Sequence, residues 1–194
     1  YIVYPDNPDN PSMYYVRNGR TGQTEYSSSD VSSVIQYAID RAPPGGRIFI
    51  HNGKYLINRP IFLKDDIVID GNKPTLVKVV DWDPITIDDV KKGFILGGKV
   101  SNVVIKNLVL DGNMSQFGIN PQNPNTATMA GRHNCLWLRR ASNIVIENVV
   151  VRNCGGVGIS IEPGLKDIIV RGNYIENCGS TGIFVGSGFS VDAN

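Results

Sequence analysis

The chain has 194 residues, 19 Lys+Arg against 18 Asp+Glu, and 41% hydrophobic and 8% aromatic residues, which predicts one folded domain and excludes wholesale disorder. A net charge of +1 with scattered basic residues leaves no footprint for nucleic acid. Apolar runs such as residues 143–151 are broken within a few positions, far short of the roughly 20 residues of a bilayer span, so no membrane span is expected.

Residues 1–29 are Tyr-rich, with Pro5-Asp-Asn-Pro-Asp-Asn-Pro11 and an Asn18-Gly19 hairpin signal. They predict a small N-terminal β appendage. Residues 30–42 predict one amphipathic helix with Ser or Asp cap candidates and apolar Val31, Val34, Ile35, Ala38 and Ile39, stopped by Pro43-Pro44-Gly45-Gly46. Segments 47–50, 51–57, 61–63 and 67–71 follow as short strands with turn residues between them.

Three later segments superpose: Asn102-Val-Val-Ile-Lys-Asn-Leu-Val-Leu-Asp-Gly-Asn113, Asn143-Ile-Val-Ile-Glu-Asn-Val-Val-Val-Arg-Asn-Cys154 and Asp167-Ile-Ile-Val-Arg-Gly-Asn-Tyr-Ile-Glu-Asn-Cys178. The second and third lie 24 residues apart, and the first and second 41 apart, an excess of 17 placed between Asn113 and Arg132. A period in the low twenties with Asn/Gly corners is that of a parallel β-solenoid whose turns stack. The fold class predicted is all-β, a parallel β-helix over residues 30–194 with an N-terminal capping α-helix. It is expected to be incomplete or uncapped at its C-terminal end, since Ser190–Asn194 reads as a mid-coil stop without a polar terminal rung. Stacking places Asn153 over Asn177, Asn107 over Asn148 and Cys154 over Cys178. The asparagines read as corner hydrogen-bonding groups without chemistry. Cys135, Cys154 and Cys178 read as core thiols. Cys154 and Cys178 are near enough to bridge, but a thiol column is the expected state.

The capping helix, Pro-Pro-Gly-Gly-Arg-Ile-Phe-Ile, Gly53-Lys-Tyr-Leu-Ile, Ile67-Val-Ile-Asp-Gly and the Ser-Asn-Ile-Val-Ile-Glu-Asn coils together resemble the pectin-lyase-like right-handed parallel β-helix superfamily, over roughly residues 31–190. That superfamily holds polysaccharide lyases, glycoside hydrolases, uronate epimerases, viral tailspikes and non-catalytic coils, so the site must choose. The Asn-Thr-Asp, Gly-His-Gly and Arg-Ile-Lys signatures of polygalacturonase-type hydrolases are missing. Gly156-Val-Gly-Ile-Ser-Ile-Glu-Pro163 stands where alginate-type epimerases carry Asp-Pro-His-Glu. No cofactor is expected; calcium, which some lyases of the superfamily use, has no supporting motif here.

Two places carry candidate chemistry. Alternation in Cys135-Leu-Trp-Leu-Arg-Arg140 turns Leu136 and Leu138 inward and Trp137 and Arg139 outward, then Ser160, Glu162 and Phe184 outward on the next rungs. Trp137, Arg139 and Phe184 would form a substrate-binding strip, the rings stacking on sugar and the charges bonding hydroxyl or carboxylate groups. The plainer alternative is an Arg139–Glu162 cross-strand pair. The insertion, Met114–Ala130, is bracketed by Asp111 and by Arg132-His133. For β-elimination on a uronide, His133 would be the base and Arg132 the carboxylate clamp. Hydrolysis would instead need two carboxylates, and Asp111 and Glu162 are the nearest outward pair.

The function expected is an extracellular, secreted or virion-surface polysaccharide-binding β-helix, with cleavage of an acidic polysaccharide by elimination or hydrolysis left open. The alternative is a non-catalytic structural or adhesive module of an assembled spike or filament. Its open end would then be covered by a homo-oligomer, a trimer or filament.

Overall fold

Short apolar runs of Val and Ile with Asn or Gly at fixed intervals wind the chain into stacked coils. The computed structural model describes residues 1–80, 86–87, 90–91, 93–120 and 133–186. Three N-terminal strands come first: β1 (Ile2–Pro5), β2 (Tyr14–Arg17) and β3 (Thr24–Ser28), mutually antiparallel in sequence order. Helix α1 (Val31–Arg41) follows, capped by Asp30, whose side chain accepts from the amides of Ser32 and Ser33. Its Val31, Val34, Ile35, Ala38 and Ile39 are buried, as the periodicity predicts.

The first coil contains β4 (Gly46–Ile50), β5 (Lys54–Ile57) and β6 (Ile61–Phe62). The second contains β7 (Ile67–Gly71), β8 (Thr75–Lys78), a small antiparallel pair β9 (Thr86–Ile87) and β10 (Val90–Lys91), and β11 (Ile95–Gly98). In the third are β12 (Ser101–Lys106), β13 (Val109–Asp111), a 3₁₀ turn (Met114–Phe117) and β14 (Leu136–Arg139). The fourth has β15 (Ser142–Glu147), β16 (Val150–Arg152) and β17 (Ile159–Glu162), and the fifth β18 (Lys166–Arg171), β19 (Tyr174–Glu176) and β20 (Ile183–Val185).

Equivalent strands stack in parallel into three sheets. Sheet A runs β4-β7-β12-β15-β18, sheet B β5-β8-β13-β16-β19 and sheet C β6-β11-β14-β17-β20. Strand β1 pairs in parallel with β4, so the N-terminal strands extend sheet A. Inward residues line up rung by rung, for example Ile67, Val103, Ile144 and Ile168, and the first three are buried. Each such fully buried side chain contributes about 1.5–3 kcal/mol, offset by the cost of ordering the chain. Helix α1 packs on β1, β2, β3, β5 and β6 and so covers the N-terminal end of the coil.

Asparagine recurs because the corners demand a left-handed backbone. Asn107, Asn148 and Gly172 occupy the same corner with φ of 57°, 52° and 62°, and Asn102, Asn143 and Asp167 share another with 57°, 53° and 56°. Their side chains also bond along the stack: Asn143 Nδ2 donates to Asn102 Oδ1 at 3.0 Å, and Asn177 Nδ2 to Asn153 Oδ1 at 2.7 Å.

The cysteine expectation is corrected. Cys135 and Cys154 form a disulfide, and Cys178 is the free thiol. Rung stacking alone considers only residues at equal template positions. The corner between sheets B and C instead brings the residue entering β14 beside the residue leaving β16, with Cα atoms 5.8 Å apart. In the fifth coil Tyr174, Ile183 and Phe184 are exposed. The segment Ser190–Asn194, read as a mid-coil stop, lies outside the described residues. Among the described residues no helix is long and apolar enough to cross a membrane.

Candidate functional site

Chain excursions concentrate at one corner. Between sheets B and C the fourth coil needs only residues 153–158, whereas the third uses 112–135 and the second 79–94. Both long excursions therefore leave and rejoin the coil side by side. The insertion in the third coil is legible as a break in the repeat. Its neighbour in the second was missed, because the irregular early coils offer no template to break.

At the root of these excursions three side chains meet. Lys78 occupies an inward position in β8, in register with Ile57, and His133 sits at the return of the third-coil excursion. Both are buried, at 1% and 2% exposure. Lys78 Nζ lies 3.1 Å from His133 Nδ1 and 4.9 Å from the ring centre of Phe117, whose ring is 5.1 Å from that of His133. The Phe117 face favours the cationic form of Lys78, whereas burial opposes it, and which of Nζ and Nδ1 donates is set by the His133 tautomer. Lys78 escaped the sequence reading, although a lysine at an inward strand position is itself a signal. Arg132, the nominated clamp, lies outside the described residues, as do residues 121–130 of the insertion.

Asp111 faces elsewhere. Its Oδ2 accepts from Arg152 Nε at 2.9 Å, on the next rung, and its Oδ1 from Asn153 Nδ2 and the Asn113 amide, each at 3.0 Å. Asn113 Nδ2 in turn holds the Lys78 carbonyl at 3.1 Å and Gln116 Nε2 the Val79 carbonyl at 2.8 Å, which fastens the 3₁₀ turn to the end of β8. Asp111 lies on sheet B and Glu162 on sheet C, so the two carboxylates nominated for hydrolysis stand on different faces of the coil. That placement does not provide the facing pair that hydrolysis requires.

The outward strip on sheet C has the expected register: Leu96, Trp137, Ser160 and Phe184 align, as do Arg139 and Glu162. Its exposure is corrected. Trp137 is 0% exposed, and Leu96 and Ser160 are buried with it, while Phe184 is exposed and Arg139 and Glu162 are partly so. Alternation decides which side of a sheet a residue takes, not what packs over that side. An exposed tryptophan platform is therefore absent. Ser160 Oγ sits 3.5 Å from Glu162 Oε1, and Arg139 neighbours Glu162 on the adjacent rung.

A trough of about 680 Å³ lies on the outer face of sheet B. Its floor runs over β5, β8, β13 and β16 through Lys54, Thr75, Asp111 and Arg152. Asn52 and Lys73 form one bank, and Asn113 and Gln116 the other. Four rungs about 4.8 Å apart make an open, elongated surface rich in hydrogen-bonding groups. It suits an extended chain better than a compact molecule.

The family model for the right-handed β-helix region matches residues 47–194. The chain belongs to the right-handed β-helix family. Among solved structures, this β-helix is similar to the A-module of the mannuronan C-5 epimerase AlgE4 of Azotobacter vinelandii, with 21% identity and a TM-score of 0.53. The similarity covers 78% of this β-helix and 48% of that module, so the chain spans about half of its length. At this identity the likeness is one of fold. A search of curated proteins found no match.

Proposed function

We propose that this β-helix binds an acidic polysaccharide along the sheet-B trough. The observation that carries the reading is the trough itself. It is floored by four rungs and sets Lys54 and Lys73 among amide and hydroxyl side chains, with Asp9 at its edge and Arg152 paired to Asp111. Lys54 and Lys73 would hold uronate carboxylates, and Asn52, Thr75, Asn113 and Gln116 would exchange hydrogen bonds with hydroxyls. The name of the similar module, a mannuronan epimerase, is a reason to try acidic glycans first. An extracellular or virion surface suits the Cys135–Cys154 disulfide, which persists in oxidising surroundings.

For turnover, the reading keeps His133 as the base that takes a sugar C5 proton while the C4–O bond breaks and Arg132 neutralises the carboxylate, which requires the Lys78 contact at Nδ1 to leave one ring nitrogen with a lone pair to accept the proton. A second reading, a binding or adhesive module without turnover, is favoured by one observation: His133 and Lys78 are both sealed from solvent.

The test is retention on immobilised mannuronan, polygalacturonan and a neutral glucan, followed by incubation with each. Retention on the acidic gels that weakens in Lys54→Glu supports the proposal, whereas equal behaviour on neutral and acidic gels overturns it. Absorbance of a new C=C bond together with new reducing ends marks elimination. Reducing ends alone mark hydrolysis, and solvent deuterium entering at C5 without cleavage marks reversible proton abstraction. Retention with none of these identifies the binding module.

A further inference from the structure

We infer that the outer face of β2, β1 and β4 carries a second saccharide subsite, formed by Tyr4, Arg17 and His51, that takes a uronate unit of the same acidic chain. The inference rests on the reading of the sheet-B trough as a glycan-binding surface and extends that surface around a corner of the coil.

Register brings the rings together. Tyr4 pairs with Tyr15 of β2, and the Val3–Ile50 pairing sets Tyr4 beside His51 at the end of β4. Val3, Val16 and Ile50 fill the opposite face at 0% exposure, so the rings stand on the solvent side. Tyr4 and Tyr15 stack with centroids 5.4 Å apart, and His51 meets Tyr4 edge-on at 6.4 Å and Phe49 at 5.4 Å. Farther along sheet A the same outward row holds Asp70, Lys106, Glu147 and Arg171, whose charges are largely matched in pairs. The aromatic surface is thus confined to the end contributed by the N-terminal strands.

Arg17 supplies the charge. It is exposed, lies 5.1 Å from the Tyr4 ring centre and donates to Tyr4 Oη at 3.3 Å. Arg47, Arg59, Arg152 and Arg171 each hold a carboxylate, whereas Arg17 has none among the described residues. A guanidinium held by a ring and lacking an anion is complementary to a planar carboxylate, which it can grip with two parallel bonds. The adjoining imidazole and phenol offer an apolar edge to a pyranose ring and a polar tip to its hydroxyls. These side chains border a concavity of about 310 Å³. Pro8 and Asn52 line both this concavity and the trough, so the two adjoin at the corner between sheets A and B.

The test is calorimetric titration with disaccharides and hexasaccharides of mannuronate and of galacturonate, and with their carboxyl-reduced neutral forms. It uses the parent chain, Arg17→Ala, His51→Ala and Lys54→Glu, each first checked for an unchanged melting curve. The parent binds an acidic hexamer more tightly than the dimer, and Arg17→Ala removes about tenfold of that gain, the size expected for one charge-assisted contact. His51 ring resonances shift on adding the hexamer but not the neutral form. If Lys54→Glu weakens the hexamer while Arg17→Ala and His51→Ala bind it as the parent does, the subsite is overturned and the trough stands. If the parent binds no acidic oligomer, both fall.

Discussion

Lys78 Nζ and His133 Nδ1 lie 3.1 Å apart in a sealed corner where the chain leaves sheet B and rejoins at sheet C, although the residues are 55 positions apart in sequence. A hydrogen bond between the two contributes about 0.5–1.5 kcal/mol, or about 1.5–3 kcal/mol where Lys78 carries its charge. Replacing Lys78 with Met keeps most of the side-chain volume and removes the amine. Lys78→Met is expected to lower stability by about that amount and to change the tautomer balance of His133. Imidazole ¹⁵N shifts report the tautomer directly. An unchanged ¹⁵N pattern would show that Lys78 does not orient the ring.

The Cys135–Cys154 bond closes a loop with a sequence separation of 19. The chain-entropy estimate for a loop of this size is about 3 kcal/mol. Reduction, or the double replacement Cys135→Ala/Cys154→Ala, should lower the urea midpoint accordingly. Thiol titration of the unreduced, unfolded chain should count Cys178 alone, against all three cysteines after reduction. Burial pushes the Cys178 thiol up, so in the folded chain it should react with alkylating reagents more slowly than an exposed cysteine.

Trp137 belongs to the interior in energetic terms despite its outward register. Truncation to Ala is expected to cost about 3–5 kcal/mol, as for other buried aromatic side chains. Its emission, isolated in a Trp82→Phe background, should be blue-shifted and protected from iodide. A red, readily quenched emission would restore the exposed platform.

Acid should spare one N-terminal loop longer than ordinary carboxylate chemistry allows. Asp6 accepts from the Ser12 hydroxyl and from the amides of Met13, Ser12 and Asn7, which lower its pKa from 3.8 to about 2. A depressed folded-state value contributes stability that is fully present above pH 3.8 and is lost as pH falls through about 2. Amide resonances of Ser12 and Met13 should keep their folded positions at pH 3 and move only near pH 2. Asp6→Asn should remove that transition.

Much of the architecture is local in origin and was readable as such. The 24-residue spacing sets Val145 beside Ile169 and Glu147 beside Arg171 because a coil of constant length must bring equal positions together. Asn at a left-handed corner, Asp30 before a helix and alternation along Leu136–Arg139 each express a preference of a few neighbouring residues. The pairing of Asp111 with Arg152 was also open to a reader of the template, since the two share a position and carry opposite charges.

What remained hidden lies at the corners, where partners depend on paths of unequal length. By itself the sequence determined the coil, its capping helix, the order of rungs and which side of each strand a residue takes. Only the tertiary structure decided that Cys154 bonds Cys135 rather than Cys178, that Lys78 meets His133, that Trp137 is covered and that Asp111 and Glu162 face apart. The physical reason is that periodicity fixes direction and spacing within a sheet, whereas contact across a corner and burial of an outer face depend on how irregular segments return to the coil.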